Sequence, residues 1–228
     1  RLLSQLFNIC EIFGDYPEVM RGLFVKLIPK PTGGFRPICL FRSLYRIHMK
    51  SRSGAVRAWE AEVGDKVQGF NNEPGRRITD AMYRDGIRGD IFGAAGPSYH
   101  GLELLRDLAK AYEYVSLIML WAAAILWDCP LHIIGLALEL YAAPRRIQGG
   151  GGAFSDAFAT MCGLPAGCKF ANKLLKILLR LPLDIVSLHF HRIGLIEYVD
   201  DIAIRYLGTV GQVAAKLPAA VAWLIHFL

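Results

Sequence analysis

The sequence predicts an α+β chain in which a small antiparallel sheet packs on helices, and three observations carry that expectation. The stretch "GLFVKLIPKPTGGFRPICL" places two apolar runs, 23–28 and 35–40, on either side of a Pro-Thr-Gly-Gly turn, the pattern of a β-hairpin. "GLIEYVDDIAIRYL" supplies two further short strands that meet at the adjacent carboxylates Asp200 and Asp201. Around them lie long segments whose apolar residues recur at helical spacing.

Size and composition set bounds. A chain of 228 residues, 54% of them hydrophobic, has ample material for one large domain or two lobes, which excludes a disordered chain. It opens on Arg1 and stays apolar up to Leu228, so it reads as a piece of a longer protein. A net charge of +6 favours an anionic partner. The five cysteines (Cys10, Cys39, Cys129, Cys162 and Cys168) form no C-x-x-C pair, which points to a reducing, intracellular compartment and away from a zinc site or a disulfide framework. No signal peptide pattern opens the chain.

In chain order, 2–13 has helical spacing and is ended by "GDYPE". The 23–40 hairpin displays Lys26, Lys30 and Arg36 around a glycine tip. Arg42, Arg46 and Lys50 then recur every four residues on one helix face. That face reads either as solvated or as a stripe that tracks phosphates. From 60 to 101 the pattern weakens, with a helix expected over 78–87. The apolar stretch 114–138 is long enough to span a bilayer, yet Asp128, Pro130 and His132 fall in its middle. A carboxylate there costs ~3 kcal/mol on insertion scales, so two core helices, 115–127 and 131–142, are the preferred reading over a membrane span.

"PRRIQGGGGAFSD" predicts a second hairpin with a glycine tip, and it lacks the Gly-Lys-Ser/Thr of a phosphate loop. "CGLPAGCKFANKLLKILLRLPL" reads as a turn feeding a helix. Its apolar positions Leu174, Leu175, Leu178 and Leu179 suit packing on a sheet, and its basic positions Lys169, Lys173, Lys176 and Arg180 suit an anion. The final segment, 210–228, reads as a helix interrupted by Pro218.

The acidic pair raises a physical question. Two carboxylates ~4 Å apart repel by roughly 4 kcal/mol at an effective dielectric near 20. Flanked by Ile196, Tyr198, Ile202 and Ile204, they cannot relax apart, and hard divalent cations would offset the repulsion. Asp107 is the best third carboxylate, allowing two ions ~4 Å apart.

At this point the sequence resembles a known family. "EYVDDIAI" is similar to the YxDD motif of reverse transcriptases, "DLAKAYEYV" to their first catalytic motif, and "LPAGCKFANKLLKILL" to their Gly-rich motif. "LIPKPTGGFRPICLFRSLYRI" resembles the fingers segment of the group II intron and non-LTR retrotransposon enzymes, and the four blocks occur in the family's order over 23–207. The resemblance implies a right-hand polymerase without its thumb: fingers over 1–100, with 117–155 returning to them, and palm over 101–116 and 156–228. It implies RNA-directed DNA synthesis on an RNA template and DNA primer from dNTPs, with Mg²⁺ (or Mn²⁺) held by Asp107, Asp200, Asp201 and the Leu108 carbonyl. Tyr112 would reject a 2′-hydroxyl, Lys30 and Arg36 would clamp the triphosphate, and Gly167 would line the dNTP and template side.

The chain departs from the family where Ala166 stands for a glutamine and Cys168 for a hydroxyl residue. A copy that binds nucleic acid without catalysis is therefore an alternative, and an integral membrane protein a third. RNA-dependent RNA polymerases share the palm plan, and Tyr112 weighs against them.

Overall fold

The computed structural model describes residues 1–64, 78–94, 96, 98–108, 110–149, 152–191, 193–198 and 201–227, with the backbone alone at 63, 64, 78, 81, 82, 84, 85, 92, 106, 107, 198 and 227. It divides into two compact units, Arg1–Trp59 with Lys110–Leu178 and Glu60–Ala109 with Leu179–Leu228.

In the first unit, α1 (Leu2–Phe13) buries Phe7 and Cys10 and ends at Gly14, whose φ of 67° lets its N–H turn back to the Cys10 carbonyl. A 3₁₀ turn, Glu18–Met20, leads into β1 (Leu23–Pro29) and β2 (Phe35–Leu40), an antiparallel pair. Gly33 and Gly34, at φ 90° and 77°, make the tip. Helix α2 (Ser43–Gly64) follows, so Arg42 stands one residue before the helix, where its guanidinium lies over the Phe24 ring.

Asp128, at φ 50°, breaks the apolar stretch into α5 (Leu117–Leu126) and α6 (Leu131–Ala142); the short α4 (Ala111–Tyr114) precedes them. An aspartate visits the left-handed region more readily than most residues, and Pro130 then caps α6. Among the described residues no helix is long and apolar enough to cross a membrane. The strand β4 (Arg145–Gln148) pairs in parallel with β1, giving the order β2-β1-β4. The hairpin expected there is reduced to isolated bridges, Gln148 to Phe154 and Arg145 to Phe158. The sheet is thus mixed rather than purely antiparallel, because β4 takes the free edge of β1.

A buried polar chain ties α1 to α2. The Tyr16 hydroxyl meets His48 Nδ1 at 2.8 Å, His48 Nε2 meets Glu11 Oε1 at 2.7 Å, and Arg52 Nε donates to the same Oε1 at 2.5 Å. His48 is fully buried and stacks on Phe7. A neutral imidazole carrying its proton on Nε2 satisfies both neighbours, donating to Glu11 and accepting from Tyr16.

The second unit holds an all-antiparallel sheet of β3 (His100–Asp107), β5 (Ile193–Tyr198) and β6 (Asp201–Gly208) in the order β3-β6-β5. Ile202, Ile204 and Tyr206 are buried, and α8 (Val210–Phe227) packs along β6 and β3. On β5 the fully buried side chain is Glu197, while the expected core residue Ile196 is half-buried. Glu197 pairs with Ile202 across the ladder and therefore shares its face. Helix α3 (Ile78–Ala94) outruns its expected end at 87.

Two prolines sit inside helices: Pro182 in α7 (Ala171–His189) and Pro218 in α8. An interior proline costs ~3 kcal/mol, which by sequence alone implies an interruption at Pro218. The helix continues because Leu217, Ala220 and Leu224 on either side are buried.

Burial lowers the pKa of His48 below its ordinary 6.5 against the opposing pull of Glu11. Burial also opposes ionisation of Glu11, yet hydrogen bonds from Arg52 and His48 outweigh it and lower its pKa from 4.5. Both groups bind protons more tightly in the unfolded chain, so the stability they contribute is lost on acidification. Thermal melts should therefore show a lower Tm at pH 5.5 than at pH 7.5. That difference should shrink in His48→Gln, and an unchanged pH dependence in the variant would show that His48 does not carry the effect.

Candidate functional site

The register of the second unit's sheet brings two of the candidate positions together. Asp107, last residue of β3, is the direct cross-strand partner of Asp201, first residue of β6. Asp201 is flanked on its other side by position 198 of β5. Asp201 is exposed, and the positions that alternate with it, Ala203 and Arg205, share its face of the sheet, opposite buried Ile202 and Ile204. On that outer face Arg205 Nη2 pairs with Glu103 Oε2 at 2.6 Å, and Leu105 is 78% exposed. Ala203 is itself buried on this face, and the opposite face holds the buried Glu197 beside Ile202 and Ile204.

Asp200 lies outside the described residues, as does the side chain of Asp107. Among the described residues no three His, Cys, Asp or Glu side chains form a metal-holding group. Positions 107 and 201 are the candidates for sharing a cation. The Leu108 carbonyl follows directly in the chain, and Leu108 is half-buried.

In the first unit, Tyr112 on α4 is half-buried and its hydroxyl donates to Asn172 Oδ1 at 2.8 Å. The Gly-rich turn holds the same segment by backbone: Leu164 N–H donates to the Tyr112 carbonyl at 2.6 Å and Gly163 N–H to the Val115 carbonyl at 2.8 Å. At its other end the turn docks on β2, where Cys39 N–H donates to the Ala166 carbonyl at 2.8 Å. Gly167 has a φ of 103°, and a Cβ there would lie 2.9 Å from the Cys39 carbonyl oxygen.

The two departures from the Gly-rich motif acquire a physical setting. Ala166 lacks an amide side chain, yet its main-chain carbonyl is the acceptor that anchors the turn. Cys168 Sγ receives the Tyr141 hydroxyl at 2.7 Å and lies 3.3 Å from the Tyr45 hydroxyl. Burial, and then Cys168, push both tyrosine pKa values well up, so both hydroxyls keep their protons. A cavity of about 400 Å³ borders this corner, lined in part by Arg46, Lys50, Gly167 and Lys169.

Lys30 and Arg36 are both exposed at the tip of the β1–β2 hairpin, where Lys30 N–H closes the turn on the Gly34 carbonyl at 3.0 Å. On α7 the expected anion-facing cations behave otherwise: Lys176 and Arg180 are buried, 7% and 8% exposed. Burial lowers the Lys173 pKa to about 8, with repulsion from Lys176 and Arg57 adding to it. Periodicity placed these cations on a second face. Lys176 and Arg180 are instead buried, and Arg180 Nε lies 3.4 Å from Asp184 Oδ2 one turn along the helix.

Asn172 and Tyr141 escaped the sequence reading. An asparagine early in a helix carries no motif signal, and a tyrosine inside an apolar run reads as core.

The backbone is similar to that of an apo telomerase from Candida tropicalis truncated from its C-terminal domain, with a TM-score of 0.62 and 15% identity. The match covers 90% of this chain and 47% of that one, so this chain spans about half its length. What the two share is the fold, an α+β arrangement of small sheets and helices. No protein-family model matches the chain, and no curated protein matches it in sequence.

Gly167→Ala should destabilise the fold by about 1–3 kcal/mol, since it combines a disfavoured φ with a clash against backbone. Urea unfolding measures this, and a neutral result would show that the turn yields. For Lys173 the folded pKa, about 8, lies below its ordinary 10.5, so the unfolded chain binds the proton more tightly between those values. Stability from this group rises with pH from about 8 until tyrosines titrate near ~10. Melts of Lys173→Met should lack that rise.

Proposed function

We propose that this chain is the catalytic core of an RNA-directed DNA polymerase of a retroelement, of the non-LTR or group II intron kind. The observation that carries the reading is the register placing Asp107 directly across from Asp201 on adjacent antiparallel strands. Support comes also from the four motif blocks in order and from the fold shared with the telomerase structure. In this reading the fingers hold the β1–β2 hairpin and the palm holds the β3-β6-β5 sheet, with the limits given by the motifs.

The donor chemistry fits Mg²⁺ or Mn²⁺. Carboxylate and carbonyl oxygens are hard ligands, and two acidic positions facing each other across a ladder are destabilised unless a cation or a proton intervenes. Asp107, Asp200 and Asp201, with the Leu108 carbonyl, would hold the metal. When bound, it supplies Lewis-acid stabilisation of charge developing on the transferred phosphate and activates the attacking hydroxyl.

The chain's own groups do the rest. Lys30 and the planar guanidinium of Arg36 bind triphosphate oxygens, the latter in bidentate fashion. Tyr112 places a flat ring against the sugar and leaves no room for a 2′-oxygen. The Gly163–Cys168 turn, fixed to β2 and to the Tyr112 segment, borders the template and nucleotide side through Gly167. The primer 3′-hydroxyl attacks the α-phosphate in line and pyrophosphate leaves.

A second reading, nucleic-acid binding without catalysis, is favoured by Ala166 and Cys168, which remove the amide and hydroxyl of the Gly-rich motif. Primer extension on an RNA template by the full-length protein separates the two. Asp107→Asn and Asp200→Asn should each reduce extension at least ~10²-fold while RNA binding and the melting profile persist. Undiminished extension in either variant removes the metal assignment, and RNA binding without any incorporation by the wild type establishes the second reading.

A further inference from the structure

Tyr112 is held at both ends. Its hydroxyl donates to Asn172 Oδ1 at 2.8 Å, and its carbonyl accepts from Leu164 N–H at 2.6 Å. The neighbouring backbone is equally confined, because a side chain at Gly163 would come within 3.2 Å of the Glu113 carbonyl oxygen. A tyrosine side chain has two torsions, so tying down its main chain and its hydroxyl leaves the ring one place to be. Asn172 is itself anchored: it is the second residue of α7, and Leu174 and Leu175 just after it are 0% and 1% exposed. The amide therefore stands on a fixed element rather than on a loop.

We propose that Asn172 is a positioning residue that sets sugar selectivity by holding the Tyr112 ring; this rests on the polymerase reading above. A steric filter discriminates only as far as it resists displacement. A ring free to swing aside relieves its clash with a 2′-oxygen, and the ribonucleotide gains entry while the deoxyribonucleotide loses little. The amide thus acts through the ring and touches no reacting atom.

The test is the ratio of kcat/KM for a dNTP to that for the matching rNTP, measured with the full-length protein on a primed RNA template. Asn172→Ala and Tyr112→Phe each remove the same hydrogen bond, so each should lower the ratio roughly 3- to 10-fold, chiefly through the rNTP KM. Acting through one contact, they should not multiply, and the double variant should match the singles. A ratio unchanged in Asn172→Ala, with both nucleotides slowed equally, shows a merely structural amide and overturns the proposal. Multiplying losses in the double variant overturn it too. A wild type that incorporates neither nucleotide overturns the polymerase reading itself and the proposal with it, a result distinct from a selective wild type with an indifferent Asn172 variant.

Discussion

Antiparallel pairing has a period of two, and the register of β3 on β6 is what the rest depends on. With Leu104 opposite Ile204 and Leu105 opposite Ala203, the ladder ends with Asp107 opposite Asp201. A slip of one residue would turn Ile202 and Ile204 out of the core and send the acidic positions to the other face. The core side of the sheet, covered by α8, therefore enforces the geometry of the charged side. The ladder thereby fixes two acidic positions as direct cross-strand neighbours.

The first unit shows the same logic in a different material. There the Gly163–Cys168 turn is fixed mainly by backbone contacts, to Cys39 on β2 at one end and to Tyr112 and Val115 at the other. Main-chain hydrogen bonds are indifferent to side-chain identity. The turn's path is therefore independent of the side chain at Ala166, whereas glycines 163 and 167 have φ values of 98° and 103° that suit no other residue well. Cys168 completes the turn as the sulfur partner of two buried tyrosines, a role for which a polarisable atom suffices.

Local signals made much of this legible. The helix at 2–13, the strands on either side of the Pro-Thr-Gly-Gly turn and the antiparallel strands β5 and β6 all follow from spacing within a few residues. What depended on distant partners was not legible. The parallel pairing of β4 with β1 joins segments far apart in sequence. Glu197 reads as a polar residue on a strand, yet its side chain is fully buried. Lys176 and Arg180 mark an anion-facing side of α7 by periodicity alone, but both are buried. The continuity of α8 through Pro218 likewise rests on burial, which local propensity does not contain. Of the candidate site, the acidic positions and Tyr112 were visible as motif residues, whereas the Asn172 contact is a property of the folded chain.

The polar chain linking Tyr16, His48, Glu11 and Arg52 carries an evolutionary corollary. Its members span up to 41 residues of separation, yet each satisfies a group that another leaves wanting. Substitution of Tyr16 or Glu11 strands a nitrogen of the fully buried His48, so these three positions constrain one another's drift, whereas Arg52, with 28% of its side chain exposed, can be replaced by water.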